Sequence, residues 1–301
     1  MIYAGWDGGG TKTAVCILDE TGEWITEADF GPLNPNGSDT AAVRDTVRAA
    51  VKFMANCRQE SLDGCGGLAI GMAGFSNRDS VCFVQNALAE AGYHGRLHIT
   101  GDQEIALNGA ITGAGAVLIA GTGSVCCGRN ADGEIYRTGG FGYLIDDPGS
   151  GYAIGRDIMT AVVRAADGRG PQTCLTGLLY HELEIEDTRG LIRWLYAPAT
   201  NKRSVAALAR LLQPACEQGD PAACAIAEKA ADGLYELSAA LWHHFDLRGG
   251  ELALAGGILS HYPMVRAGVI SRMRAQWPDI DIHDPLYPPS RGAAMMALSL
   301  F

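Results

Sequence analysis

The sequence predicts an α/β protein of two related halves, and three observations carry that expectation. A segment near the start, GWDGGGTKTAVCILDETGEWI, recurs further along as AVLIAGTGSVCCGRNADGEIY. Placing Gly10 on Gly121 sets an offset of 111 (121 − 10). The same offset pairs Thr11 with Thr122, Thr13 with Ser124, Cys16 with Cys127, Gly22 with Gly133 and Glu23 with Glu134. Strand-like runs then alternate with helix-like ones, which points to partly parallel sheets. Residues from about 152 to 246 read as mainly helical and Ala-rich.

Each copy of the repeat reads as strand, Gly/Thr turn, strand, polar turn, strand. The outer turns, Asp19-Glu20-Thr21-Gly22 and Asn130-Ala131-Asp132-Gly133, have good hairpin chemistry. After the first copy, Ser38-Asp39-Thr40 can cap a helix whose apolar positions are Val43, Val47, Val51 and Met54. Gly67 to Gly74 is a short buried strand ending in a small-residue turn. Asp79 to Ala91 is helical, and Leu97-His98-Ile99-Thr100 is a strand. The helical block breaks at Gly168–Pro171, Ala197–Asn201 and Gly219–Pro221. Glu251–Ala255 is again a strand, Ser260–Met273 a helix, and Ser290–Phe301 a terminal helix.

The chain has 301 residues, enough for two domains with their own cores. A formal net charge of −11 argues against nucleic acid and anionic membrane surfaces, both of which need a basic face. Nine cysteines follow no regular framework and form no CxxC, so a zinc knuckle or a redox dithiol motif is not expected. Reduced thiols fit a cytoplasmic protein. The N-terminus lacks the basic-then-apolar pattern of a signal peptide, and no apolar run is long enough to cross a membrane.

Function is concentrated in the two Gly/Thr turns. In Gly8-Gly9-Gly10-Thr11-Lys12-Thr13, glycines let backbone N–H groups converge on an anion. Hydroxyls at Thr11 and Thr13 and the ammonium of Lys12 add donors suited to phosphate oxygens. Gly121-Thr122-Gly123-Ser124 repeats the arrangement. Neither turn fits the Walker or dinucleotide fingerprint. Asp102 begins a helix after a strand, a place that suits either a helix N-cap or a general base. Asp7, at a strand end, suits either a turn stabiliser or a metal ligand. Asn34, before Pro35, suits a turn or a substrate contact.

Four stretches together resemble one family: Asp7-Gly-Gly-Gly-Thr-Lys-Thr, Gly101-Asp102, Ile119-Ala-Gly-Thr-Gly-Ser124 and Ala255-Gly-Gly257. They are similar, in order, to the first phosphate, catalytic, second phosphate and adenosine motifs of the sugar kinase–Hsp70–actin superfamily. Within it the match is to N-acetylglucosamine kinases, which share a family with the BadF/BadG/BcrA/BcrD ATPases. Gly139-Gly-Phe-Gly-Tyr-Leu-Ile-Asp-Asp-Pro-Gly-Ser-Gly-Tyr152 is similar to that group's GGWG…GDEGSG segment.

The resemblance implies a two-domain actin-like ATPase (ribonuclease H-like) fold, with a duplicated βββαβαβα core and a cleft between domains. Residues 1–104 form the first domain, with helix 289–301 packing back on it. Residues 105–288 form the second, with a helical insertion at about 155–246. The implied reaction is transfer of a phosphoryl group from ATP to a hydroxyl of an amino sugar, N-acetylglucosamine or glucosamine, with Mg2+ as cofactor. Asp102 is then the base and, with Asp7, a metal-site residue. Gly9, Gly10, Thr11, Lys12, Thr13, Gly121, Thr122, Gly123 and Ser124 bind phosphates. Ala255, Gly256 and Gly257 face the adenosine. Asn34, Ala73, Gly74, Asp102, Thr122, Gly139, Gly140 and Asp147 line the sugar. A homodimer is also implied, with a small-molecule sugar as the partner and neither nucleic acid nor membrane.

Two departures lie beside the expected sugar residues. The family's Gly-Asp-Glu-Gly-Ser reads Asp146-Asp147-Pro148-Gly149-Ser150 here, and its Trp is Phe141. The extra acid would suit a free amino sugar. Two other functions share this fold. One is an ATPase driving a partner protein, which carries cysteines for a shared iron–sulfur cluster that the placement of Cys126 and Cys127 does not match. The other is a sugar or nucleotide sensor, whose DNA-reading helices find no place before the first strand.

Overall fold

The computed structural model describes residues 1–36, 39–57, 62 and 64–301. The chain divides into two units, 1–112 with 285–301, and 113–284. The first opens with β1 (Ile2–Gly8), β2 (Thr13–Asp19) and β3 (Trp24–Phe30), followed by α1 (Thr40–Asn56), β4 (Cys65–Met72), α2 (Arg78–Glu90), β5 (Leu97–Gly101) and α3 (Asp102–Ala110). The second opens with β6 (Gly115–Ala120), β7 (Ser124–Arg129) and β8 (Ile135–Gly139). A helical run follows: α4 (Gly151–Ala166), α5 (Leu175–Leu183), α6 (Thr188–Leu195), α7 (Lys202–Ala207), α8 (Leu212–Glu217) and α9 (Pro221–Phe245). It closes with β9 (Glu251–Ala255), α10 (Gly257–His261), α11 (Pro263–Gln276) and β10 (Asp281–His283), before α12 (Pro289–Leu300) returns to the first unit.

The duplication extends to topology. The first sheet runs β3-β2-β1-β4-β5, and the second, read from its other edge, runs β8-β7-β6-β9-β10. In each, the three leading strands are antiparallel neighbours and the last two join in parallel. Both sheets bury their central strands on two faces, so β1 reads almost unbroken apolar and β4 and β6 likewise.

Helix α1 begins at the expected place. Its cap is Asp39, whose carboxylate accepts from Ala41 N–H at 3.2 Å, and Val43, Val47, Val51 and Met54 are all buried. Ser38, expected to share that cap, lies outside the described residues. Three breaks in the helical block fall where Gly and Pro signal them. A fourth, between α5 and α6, has neither residue. It turns at Glu184, which takes the left-handed conformation at φ 52°.

Two expectations change. Ser260–Met273 is not one helix, because Pro263 starts α11 after a break at Tyr262. The expected division at 104/105 and 288/289 shifts to 112/113 and 284/285. Helix α3 belongs with the first unit because it crosses α12 at backbone contact through Gly109 and Gly292. A Cβ at Gly292 would stand 2.2 Å from Ile105 O, and Asn108 Nδ2 donates to Gly292 O at 2.8 Å. The three-residue β10 has too short a pattern to be read from sequence.

All nine cysteines are free thiols. Cys126 and Cys127 are both buried in β7, pointing to opposite faces of the sheet. Among the described residues, no helix is long and apolar enough to cross a membrane.

Candidate active site

In the first unit the candidate residues gather at the carboxyl ends of β1, β4 and β5, where open α/β sheets place ligands. Asp7 lies in β1 opposite Gly71 of β4, and Gly71 in turn faces Thr100 of β5, two residues before Asp102. The residue capping α3 is Gly101, so Asp102 stands at the first helical position rather than at the cap. That removes the reading of Asp102 as an N-cap. Burial, with the charge of Asp102 adding to it, pushes the Asp7 carboxyl up to about 6, and Lys12 opposes the shift. Two carboxylates thus lie at the same edge of the sheet, at the ends of β1 and β5 with β4 between them.

A group whose folded pKa lies above its unfolded value binds extra protons in the folded state between the two values. Stability is therefore expected to fall as pH rises from about 4 to about 6, by roughly 2–3 kcal/mol, and to level off above that range. Asp7→Asn is expected to flatten this profile and raise the melting temperature at pH 7 while reducing turnover. Thermal melts across pH 4–8 check both.

The β1–β2 turn is closed by Gly9 N–H donating to Lys12 O at 2.9 Å. Thr11 is exposed. Lys12 pairs with Asp29 at 2.7 Å, an exposed ion pair that costs little to exchange for a phosphate. Thr13 differs from expectation: it is fully buried, and its hydroxyl donates to Gly31 O at 2.8 Å instead of facing outward. Asn34 lies beside Gly74, whose φ of +83° gives the turn after β4 its path. Ala73 N–H reaches back to Gly8 O at 3.0 Å. The carboxamide of Asn34 also accepts from Asn36 N–H, and Asn36 accepts from Asn77 Nδ2 at 3.0 Å. Asn36 and Asn77 escaped the sequence reading, although Asn77 has a legible signal as the cap of α2.

In the second unit, the β6–β7 turn is closed by Gly121 N–H donating to Gly123 O at 2.9 Å, and Thr122 is exposed. Ser124 parallels Thr13: it is buried, and its hydroxyl donates to Pro148 O at 2.7 Å. The neighbouring Asp147 rests on the turn so closely that a Cβ at Gly123 would stand 2.7 Å from its Oδ2. Burial holds the Asp147 carboxyl above its ordinary value, against the opposing pull of the nearby N–H groups of Gly142 and Ser124. Asp146, by contrast, is exposed, and its N–H bonds Gly142 O at 2.9 Å. Gly139 and Gly140 turn the chain at φ 70° and 71°, a path that a side chain would strain. Phe141, in the place of the family's Trp, is exposed, with Arg137 over its ring.

Gly121 and Thr122 of the second turn share one groove of about 500 Å3 with Gly257, whereas Ala255 and Gly256 do not line it. Gly256, at φ 90°, lets the end of β9 meet β6, since a Cβ there would stand 2.4 Å from Ala120 O. Gly121, Gly151 and Gly257 leave bare backbone in its wall beside Thr122, and Arg203, Arg210 and Tyr262 add side chains that the sequence reading missed. Arg203 follows Asn201, the cap of α7, and no motif marks it.

The family model described as the BadF/BadG/BcrA/BcrD ATPase family matches residues 4–297. An N-acetylmuramic acid/N-acetylglucosamine kinase from Clostridium acetobutylicum is 30% identical over 298 residues, 98% of this chain and 97% of that protein. An N-acetyl-D-glucosamine kinase from Dictyostelium discoideum is 29% identical over 312 residues, covering 99% and 98%. Among solved structures, a candidate N-acetylglucosamine kinase from Chromobacterium violaceum superposes with a TM-score of 0.78 at 22% identity, over 98% of each chain. This likeness shows a shared fold, the two-domain actin-like architecture of sugar kinases.

Proposed function

The chain belongs to the BadF/BadG/BcrA/BcrD ATPase family, and from that premise we propose that it is a kinase transferring a phosphoryl group from ATP to a hydroxyl of an amino sugar. The observation that carries the proposal is the pair of matched Gly/Thr turns, each with a polar loop beside it. Asn34 lies in the loop beside the first turn, and Asp147 rests on the second. A phosphate turn with a hydroxyl-binding residue beside it is what transfer to a sugar requires.

In this reading Asp102 accepts the proton of the attacking hydroxyl and orients it. The backbone of each turn, with the exposed hydroxyl of Thr11 in the first and Thr122 in the second, offers donors to phosphate oxygens. The groove beside Gly257 takes the adenosine, and Arg203 adds a cation to its wall. Arg203→Ala is expected to raise the KM for ATP several-fold and leave that for the sugar unchanged, as steady-state kinetics would show.

Magnesium fits the pair Asp7 and Asp102. Burial and the charge of Asp102 raise the cost of ionising Asp7, and a divalent cation that keeps much of its water offsets that cost without a full protein cage. Bound there, it would neutralise charge on the phosphates. The rest of the site orients the sugar and shields the transfer.

Asp147, not Asp146, is the carboxylate on the turn, so the additional acid gives no placed partner for a free amine. N-acetylglucosamine therefore leads glucosamine as substrate. Coupled ADP release is expected with N-acetylglucosamine and to remain at background without sugar. Equal ADP release in sugar-free controls would instead favour an ATPase that drives a partner protein. The cytoplasmic location and the homodimer belong to this same reading, and sedimentation of the purified chain checks the dimer.

A further inference from the structure

We propose that Thr13 and Ser124 are a matched pair of positioning residues that register the two substrate loops against the two phosphate turns. The proposal rests on the amino-sugar kinase reading for what those loops bind. It departs from the expectation that both hydroxyls bind phosphate.

The two residues occupy the same place in the repeat, the first position of β2 and of β7. Thr13 is 0% exposed and Ser124 4% exposed, so neither hydroxyl is placed to receive a ligand. Each instead donates to a loop carbonyl, Thr13 to Gly31 at 2.8 Å and Ser124 to Pro148 at 2.7 Å. The acceptors lie in the segments that follow β3 and β8, and each is close to a candidate sugar contact. Gly31 stands three residues before Asn34, and Pro148 directly follows Asp147.

A second contact backs each pin. In the first unit Leu33 N–H donates to Gly9 O at 3.0 Å, tying the loop to the phosphate turn one residue before Asn34. In the second, the Asp147 carboxylate lies against the phosphate turn itself, so that a Cβ at Gly123 would stand 2.7 Å from its Oδ2. Ser124 thus fixes Pro148 directly, and through it the place of Asp147 beside the turn. The two units share little sequence in these loops, yet both retain a hydroxyl at this position. A short buried hydroxyl suits the task because it reaches only one acceptor and locks in one rotamer against its strand. The outer face of each turn is left for phosphate while the inner face sets the loop. Losing the donor leaves a part-buried carbonyl without its partner, and the loop is then free to shift toward another.

The test uses the full chain and the variants Thr13→Val and Ser124→Ala, with Thr13→Ser and Ser124→Thr as conservative counterparts. The removal variants are expected to raise the sugar KM about 10-fold or more, as misplaced contacts do, with the ATP KM within about twofold. The counterparts are expected to stay near the wild type. Hydrogen exchange is expected to quicken in peptides spanning 31–36 with Thr13→Val and 143–149 with Ser124→Ala, and in no other loop. An ATP KM that rises with an unchanged sugar KM would return both hydroxyls to the phosphates and overturn the proposal. Unaltered exchange in both loops would overturn it as well. If the wild type itself shows no sugar-dependent ADP release, the kinase reading fails, and the exchange measurement still decides the pins by themselves.

Discussion

Asp102→Asn is expected to lower phosphoryl transfer by about 10²–10⁴-fold, a barrier increase of about 3–5 kcal/mol. Asparagine keeps the size and can still meet the sugar hydroxyl, but it cannot take its proton. The variant should fold, because Asp102 is not the cap of α3: Gly101 is. Losing a negative charge from the first helical turn costs a few tenths of a kcal/mol, and removing the repulsion on Asp7 offsets it. ATP affinity, measured by calorimetry without sugar, should stay within a few-fold. Wild-type turnover in this variant would sink the assignment of Asp102 as base. Lost ATP binding would point instead to a role in holding the nucleotide and its cation.

Gly5→Ala is expected to be the most damaging single-methyl change in the first unit. Gly5 lies in the middle of β1, and a Cβ there would stand 2.0 Å from Ala294 N and 2.3 Å from Ser290 O, both in the backbone of α12. No side-chain rotamer can relieve a clash between two backbones, so α12 must move off the sheet. A loss of about 3 kcal/mol is expected, at the upper end for overpacking. That corresponds to a melting-temperature decrease of roughly 6–12 °C for the transition of this unit, read by scanning calorimetry. Gly177→Ala is the control. It adds the same methyl in α5 with nothing within 4 Å, and a small gain is expected from helix propensity. Equal losses in both variants would mean that contact with α12 is not what limits Gly5.

Much of the fold was legible because duplication writes the same local signal twice. The hairpin turns at Gly22 and Gly133 both take positive φ, the chemistry expected of them. The apolar spacing of α1 named its buried face. Helix α3 was harder, since its partner α12 is separated from it by the whole second unit. The contact depends on Gly109 and Gly292, two glycines that carry no periodicity. The break at Glu184 was invisible because neither Gly nor Pro marks it: a glutamate takes the left-handed cap position, closed by Ile185 N–H donating to Tyr180 O at 3.0 Å.

Within the site, motifs named the residues but not which atoms of each face a ligand. Thr13 and Ser124 look like phosphate donors in any linear reading, since hydroxyls beside glycines suit anions. Only the folded strands turn those hydroxyls inward to Gly31 and Pro148. Arg203 and Arg210 come to the groove of the second turn from helices more than eighty residues away, a distance that no local pattern spans. The sequence by itself determined the α/β class, the duplication and the two Gly/Thr turns, because backbone propensity and glycine freedom act over a few neighbouring residues. The tertiary structure alone decided that Asp102 is not a cap, that Asp147 rather than Asp146 lies on the turn, and which hydroxyls are spent inside. Those outcomes depend on burial and on partners distant along the chain, which exist only once the strands have packed.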